Sequence, residues 1–349
     1  RLETVYRRIT ESLRTSSMPP SAFRPVLDSW LFTLESDAIA ADPSLEHADE
    51  ASVTQAVNAL LERRLASVSS RTPVFAQALR GYRTAVVSGD AATADGLAAW
   101  MGGQPQVAAS AKRAAGIRGE LDHFGAMGFL QGLLAVLRDA GHPGLVLVLD
   151  EVETLQRVRG DVRDKAFNAL RQLIDEIDAG RFPGLYLLVT GTPAFYEGPS
   201  GVARLAPLAQ RLATDFATDA RFDNPRAVQV RLPGFDHDAL VSLGVKVRDL
   251  YSGGSAASAR VASTVDDAYV ADLATAVAGR LGGRVGVAPR VFLKKLVADV
   301  LDRVDQFEDF DPREHYALTV GVDELTTEER VARGGSGLDG IDLDLSDDD

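Results

Sequence analysis

The residues whose types and spacing could do chemistry are concentrated in one stretch, Leu145-Val146-Leu147-Val148-Leu149-Asp150-Glu151-Val152-Glu153. Five aliphatics run into an acidic pair, and His142-Pro143-Gly144 punctuates their start. Such a run reads as a fully buried strand of a parallel sheet. Its carboxyl end then places two carboxylates at the sheet edge where open α/β folds bind ligands. In phosphoryl-transfer chemistry the first carboxylate, Asp150, can hold Mg²⁺, usually through water, and the second, Glu151, can orient an attacking water. A core strand followed by an N-cap aspartate is the competing reading, and the stretch alone supports either.

A second aliphatic run, Leu185 to Thr190, follows Pro183-Gly184 and ends in Thr190-Gly191-Thr192-Pro193. A hydroxyl at the tip of the neighbouring strand can touch the attacking water or a terminal phosphate, which makes Thr190 and Thr192 candidates. A turn capped by threonine is the alternative. Arg204, Arg211, Arg221 and Arg226 come next in the chain. Planar, permanently charged guanidinium groups suit the charge on a transferring phosphoryl group, often across a subunit boundary. Against the reading of ordinary surface arginines, Arg211 in Leu208-Ala209-Gln210-Arg211-Leu212 is the first candidate and Arg221 the second. Arg290, after Gly286-Val287-Ala288-Pro289, stands in the first turn of a helix, where the dipole favours anions. It therefore calls for a phosphate or carboxylate partner.

Other chemistries find little support. The five histidines are scattered, with no HxxxH or HExxH spacing, and no Ser-His-Asp or Gly-x-Ser-x-Gly arrangement occurs. Lys112, Arg113 and Arg118 form a small basic cluster that reads as a solvated face ahead of a nucleic-acid contact. No Gly-x-x-x-x-Gly-Lys-Ser/Thr is present, so these residues contain no such backbone cradle for β and γ phosphates.

The elements that must position the candidates change character along the chain. Residues 1 to about 140 carry helical periodicity: 2–14, a helix opened by Pro19-Pro20-Ser21, 51–68, one starting at Thr72-Pro73 with Thr as cap, 91–101, 105–115 and 124–140. Trp30, Phe32, Phe75 and Trp100 read as core. From residue 144 strands alternate with helices: strands at 145–149, 185–190 and 227–232, helices at 161–179 and 201–213. This argues for a parallel sheet covered on both faces. Asp236 caps a helix to about Tyr251, 252–263 reads as a flexible loop, and helices at 265–281 and 288–306 make a lid-sized unit. With 349 residues, 46% of them hydrophobic, the chain can build one large or two ordinary domains. The absence of cysteine excludes disulfides and thiolate metal sites. No apolar run is long enough to span a bilayer, so no membrane is expected and a cytoplasmic protein is the default. Of the net charge of −13, −12 lies between Asp302 and Asp349. The end of the chain, 311–349, reads as an acidic and largely disordered tail. The chain opens on Arg1 inside helical periodicity, which reads as a fragment that has lost something upstream.

Residues 145–155, 185–196, 204–235 and 284–296 together resemble the Walker B, sensor 1, arginine-finger and sensor 2 regions of AAA+ ATPases, in a layout similar to the Orc/Cdc6-like branch. More narrowly, Val148-Leu149-Asp150-Glu151-Val152-Glu153-Thr154-Leu155, Thr190-Gly191-Thr192-Pro193-Ala194-Phe195-Tyr196, Leu208-Ala209-Gln210-Arg211-Leu212 and Arg221-Phe222-Asp223-Asn224-Pro225-Arg226 resemble the ATP-binding protein of BREX phage-defence systems, the BrxD type. The resemblance implies an α/β fold, a parallel P-loop NTPase (AAA+) sheet that is incomplete here, with a helical N-terminal insertion (1–140), an α/β ATPase core (141–235) and a helical lid (236–310). It implies ATP and Mg²⁺ as cofactors, with Asp150 serving the metal, Glu151 as general base, Thr192 or Thr190 as sensor 1, Arg211 or Arg221 as finger and Arg290 as sensor 2. Its partners would be further copies of the chain, other defence-system proteins and DNA. The phosphate-binding loop would lie upstream of residue 1. In that layout 145–149 and 185–190 pair directly and in parallel, about 4.8 Å apart. A nucleotide-free interaction scaffold that keeps the fold without catalysis is the alternative.

Overall fold

A computed structural model describes residues 2–232, 234–280 and 289–318. They form two compact units, the first ending at Thr214 and the second beginning at Asp215. The structure is mostly helical, with a small two-stranded parallel sheet in the first unit, consistent with an incomplete α/β fold.

Seven helices precede the sheet: α1 (Leu2–Ser12), α2 (Phe23–Ala41), α3 (Glu50–Arg71), α4 (Pro73–Val87), α5 (Ala91–Met101), α6 (Ala109–Ala114) and α7 (His123–Asp139). Aspartates start three of them by accepting an orphan backbone N–H of the first turn: Asp49 from Ser52 (2.7 Å), Asp90 from Thr93 (3.0 Å) and Asp122 from Gly125 (2.7 Å). Thr72 does not cap α4 with its side chain; its hydroxyl donates instead to the Gly128 carbonyl at 3.1 Å, tying α4 to α7. The helices share one core in which Phe129 stands edge-on to Phe75 and Trp100, with centroids 5.0 and 5.2 Å away. Trp30, Phe75 and Trp100 are buried as expected, but Phe32 faces outward, 72% exposed on α2. Its neighbours Leu31 and Leu34 take the core side of the helix.

The strands begin at a pair of glycines. Gly184 has φ +86°, and its carbonyl stands where a Cβ on Gly144 would have to be, 2.1 Å away. Leu145 N–H donates to that same carbonyl at 2.8 Å and opens the ladder. Strand β1 (Leu145–Leu149) then pairs in parallel with β2 (Leu185–Val189), from Leu145 opposite Leu185 to Leu149 opposite Val189. The crossover is α8 (Gly160–Asp178), which buries Phe167, Leu170 and Leu173. Leu145, Leu147, Leu149, Leu185 and Leu187 pack against the helical core.

The opposite face is open. Val146, Val148, Tyr186 and Leu188 are 62, 49, 66 and 44% exposed. The expectation of strands buried on both faces is thus corrected: the helices of this unit lie against one side only. Two shorter helices follow β2, α9 (Pro193–Glu197) and α10 (Ala206–Leu212). Phe195 and Leu208 join Phe167 in a small separate core beneath the strand tips.

The second unit corrects two further expectations. Residues 227–232 form no strand; Val228, Val230 and Leu232 are 67, 56 and 88% exposed. Alternation supplies a side-chain pattern, but a strand exists only with a ladder partner, and no described strand pairs with this segment. The stretch 252–263 is largely helical, as α11 (His237–Gly254) runs further than expected and α12 (Ser258–Thr264) follows. Asp236 caps α11 through the Ala239 N–H, at 2.8 Å, as its position suggested. Then come α13 (Asp267–Arg280), α14 (Pro289–Lys294), a π-helical turn over Lys295–Leu301, α15 (Asp302–Gln306) and α16 (Pro312–His315). Residues 312–315 of the acidic tail are therefore helical, while 319–349 and Gly286-Val287-Ala288 lie outside the described residues.

Candidate active site at the strand tips

Strand parity explains how the acidic tip is assembled. Residues 146, 148 and 150 alternate to one face of β1, and 186, 188 and 190 to the same face of β2. The register continues past the strands, since Thr190 N–H donates to Leu149 O (3.0 Å) and Val152 N–H to Thr190 O (3.1 Å). Asp150 and Thr190 therefore arrive side by side on the open face. The Thr190 hydroxyl donates to Asp150 Oδ1.

Glu151 closes the motif. Its backbone is left-handed, φ 51° and ψ 48°, a conformation that costs a non-glycine residue on the order of 1 kcal/mol. The conformation is held by its N–H, which lies 3.1 Å from Thr190 Oγ1 and 3.2 Å from Asp150 Oδ1. One threonine thus ties the aspartate and the turn of the glutamate together across the ladder. The Asp150 and Glu151 side chains remain exposed.

Thr192, two residues on, is the N-cap residue of α9, makes no side-chain cap bond and is half-buried. Of the two threonines, only Thr190 bonds the acidic pair. Glu153, which residue-by-residue reading passed over, lies behind the tip: its Oε2 is buried without a hydrogen-bond partner, close to Gly191 and Tyr196. Burial, and secondarily the Glu153 charge, pushes the Tyr196 hydroxyl pKa up. The only signal in the sequence was a third acid, two residues after Glu151.

The arginines are distributed differently. Arg211 donates from Nε to Asp175 Oδ1, from Nη2 to Oδ2 at 3.2 Å and from Nη1 to the Pro207 carbonyl at 2.7 Å. Asp175 also takes Arg171 at 2.7 Å. Arg211 is thus built into the contact between α10 and α8. Arg204 lies 3.7 Å from Asp164. Arg221 stands in the second unit on a 3-10 turn, Ala220–Phe222, with its side chain 73% exposed and its guanidinium 4.6 Å from the Phe222 ring centre. Arg226 is exposed near it, and Arg290 is exposed in the first turn of α14.

The BREX system ATP-binding protein BrxC/D family model matches residues 1–320. The chain belongs to that family. Membership sets this BrxC/D-type protein in BREX defence, alongside other components of the system, and makes ATP its ligand. No curated protein and no solved structure matches the chain.

The donors at the tip fit the cation that accompanies ATP. Mg²⁺ prefers oxygen ligands and is commonly held by one or two carboxylates, waters and the phosphates themselves. Asp150 offers an exposed carboxylate whose Oδ2 takes no part in the Thr190 motif. No described cluster of three or more His, Cys, Asp or Glu could hold a metal alone. No described helix is long and apolar enough to cross a membrane.

Proposed function

We propose that the tips of β1 and β2 form the hydrolytic half of an ATP site of the P-loop NTPase, AAA+ class. The observation that carries this reading is the Thr190–Asp150–Glu151 motif, in which two carboxylates stand at the carboxyl end of a parallel strand and the neighbouring strand fixes their turn. Asp150 serves Mg²⁺, which supplies charge neutralisation at the phosphate oxygens. Glu151 orients the attacking water and accepts its proton. Thr190 is committed to Asp150 and acts as a positioning residue, which leaves Thr192 to meet the water or the terminal phosphate.

The arginine order of the sequence reading is reversed in this proposal. Arg211 is spent within its own unit, whereas Arg221 is exposed and carried by a turn, and it acts in trans in a homo-oligomer. Arg290, exposed at a helix start, takes a phosphate. The Gly-x-x-x-x-Gly-Lys-Ser/Thr cradle that completes such a site is not among these 349 residues. DNA is a further partner in this reading.

Glu151→Gln in the protein with its phosphate-binding loop tests the assignment. ATP binding should persist while steady-state phosphate release falls at least about tenfold, because the base is lost and the phosphate contacts are spared. Unchanged turnover would remove Glu151 from the base role and favour a scaffold that uses no hydrolysis.

A further inference from the structure

The sheet has a second end. Beside the amino ends of β1 and β2, at the far end of the strands from Asp150 and Thr190, α7 and the turn before β2 border an open cavity of about 120 Å³. Its walls are of two kinds. Leu134, Ala135 and Pro183 give an apolar side; Thr72, Gln131, Arg138 and Arg181 give a polar one.

The hydrogen bonds among the polar groups leave a definite remainder. Thr72 has spent its hydroxyl proton on the Gly128 carbonyl, and Gln131 Nε2 donates to the Arg181 carbonyl at 3.1 Å. Arg181 is neutralised by Glu176, to which its Nε donates. Glu176 in turn is held below the usual carboxylate range by that hydrogen bond, so it stays charged near neutrality. Arg138 makes no ion pair with a described carboxylate. It sits in the last turn of α7, where the carbonyl end of a helix favours a cation. The cavity therefore carries one uncompensated positive charge beside an apolar wall.

We propose that this cavity binds a small aliphatic carboxylate. The Arg138 guanidinium takes the carboxylate in its planar fork, and the alkyl body lies on Leu134, Ala135 and Pro183. A single net positive charge suits a monoanion. A phosphate dianion would bring surplus charge and leave the apolar wall without a partner. Size agrees: a cavity of about 150 Å³ takes benzene, so 120 Å³ suits a body of four or five carbons. The site is independent of the ATP reading.

Ligand-observed NMR titration of the full chain with valerate, pentylamine and inorganic phosphate tests it. Valerate should bind saturably with Kd on the order of 1–10 mM, as expected for so few atoms. Pentylamine, with the same body and opposite charge, should not bind. Arg138→Gln should weaken valerate at least about tenfold. Ala135→Leu, which fills the apolar side, should abolish binding with the circular dichroism unchanged. Absence of saturable valerate binding, equal binding of pentylamine, or full affinity in Arg138→Gln would each overturn the proposal. Tighter binding of phosphate than of valerate would overturn the ligand class. Should Arg138→Gln fail to fold, the valerate–pentylamine contrast on the unmodified chain decides alone.

Discussion

The acidic tip and the arginines that follow it in the chain are handled in opposite ways by the fold. Asp150 and Glu151 are positioned entirely within one unit, by a threonine on the adjacent strand and by two backbone hydrogen bonds. Arg221 is held only loosely, 3.5 Å from Asp219, and stacks on an exposed phenylalanine. Arg211 stands between these extremes in sequence but not in role, for Asp175 takes two of its nitrogens. The difference has a physical reason. A carboxylate that orients water must be fixed before the reaction, because its contribution depends on geometry. A guanidinium that acts on a neighbouring copy can be held only weakly until that copy arrives.

The largest effect that can break this contrast is at the arginines. Arg221→Ala should lower ATP turnover in the assembled protein about 10³-fold or more, the lower end of what such a guanidinium supplies. Arg211→Ala should leave turnover within about twofold and instead lower stability by roughly 1 kcal/mol, the worth of a partly exposed bidentate pair. Mixing Arg221→Ala subunits with Glu151→Gln subunits should restore some hydrolysis, since one mixed interface keeps both groups. If the mixture co-assembles without activity, the finger lies elsewhere or acts in cis; if Arg211→Ala is the inactive variant, the two arginines have been assigned the wrong way round.

A smaller effect sharpens the other side of the comparison. Thr190→Val keeps shape but removes the hydroxyl that bridges Asp150 and the Glu151 N–H. Turnover should fall about tenfold, as for loss of a hydrogen bond to a charged group. Thr190→Ser should recover most of it, and the Km for ATP should change less than kcat in both. A Thr190→Val effect confined to Km would mean that the threonine contacts the nucleotide rather than the turn.

Much of this arrangement was legible in the residues, and the illegible part shares one cause. The helix start at Asp236 was readable from local chemistry, because a cap needs only its own first turn, whereas the Thr72 hydroxyl, expected to cap α4, turns to the Gly128 carbonyl instead. The parallel pairing of 145–149 with 185–189 was readable from two aliphatic runs with a helix between them. What failed depended on neighbours distant in sequence. Aliphatic runs do not tell how many faces will be covered, so Val146, Val148, Tyr186 and Leu188 were expected inside. The choice between Thr190 and Thr192 rests on strand register: residue 190 falls opposite 150, one step past Leu149 and Val189, whereas Thr192 already opens α9. The availability of an arginine depends on whether an acid such as Asp175, 36 residues away, reaches it.

The segment 227–232 gives the smallest expected effect and the plainest control on that lesson. Its alternation, with Val228, Val230 and Leu232 outward, matches the pattern of β1, yet these side chains are more than half exposed. Stability should then be indifferent to their hydrophobicity. Val230→Thr, which keeps the branched shape and adds a hydroxyl, should change unfolding free energy by no more than about 0.5 kcal/mol, the usual range for surface positions. Leu147→Ala, the corresponding substitution in a strand that has both a ladder partner and a core, removes a side chain only 8% exposed and should cost roughly 2–5 kcal/mol. Chemical denaturation of the two variants, monitored by far-ultraviolet circular dichroism, gives the comparison, because both units are helical; Trp30 and Trp100, in the same core as Leu147, report on the first unit alone. A loss above 1 kcal/mol for Val230→Thr would show that the segment buries its valines in solution, and with a partner strand it would then be a strand after all.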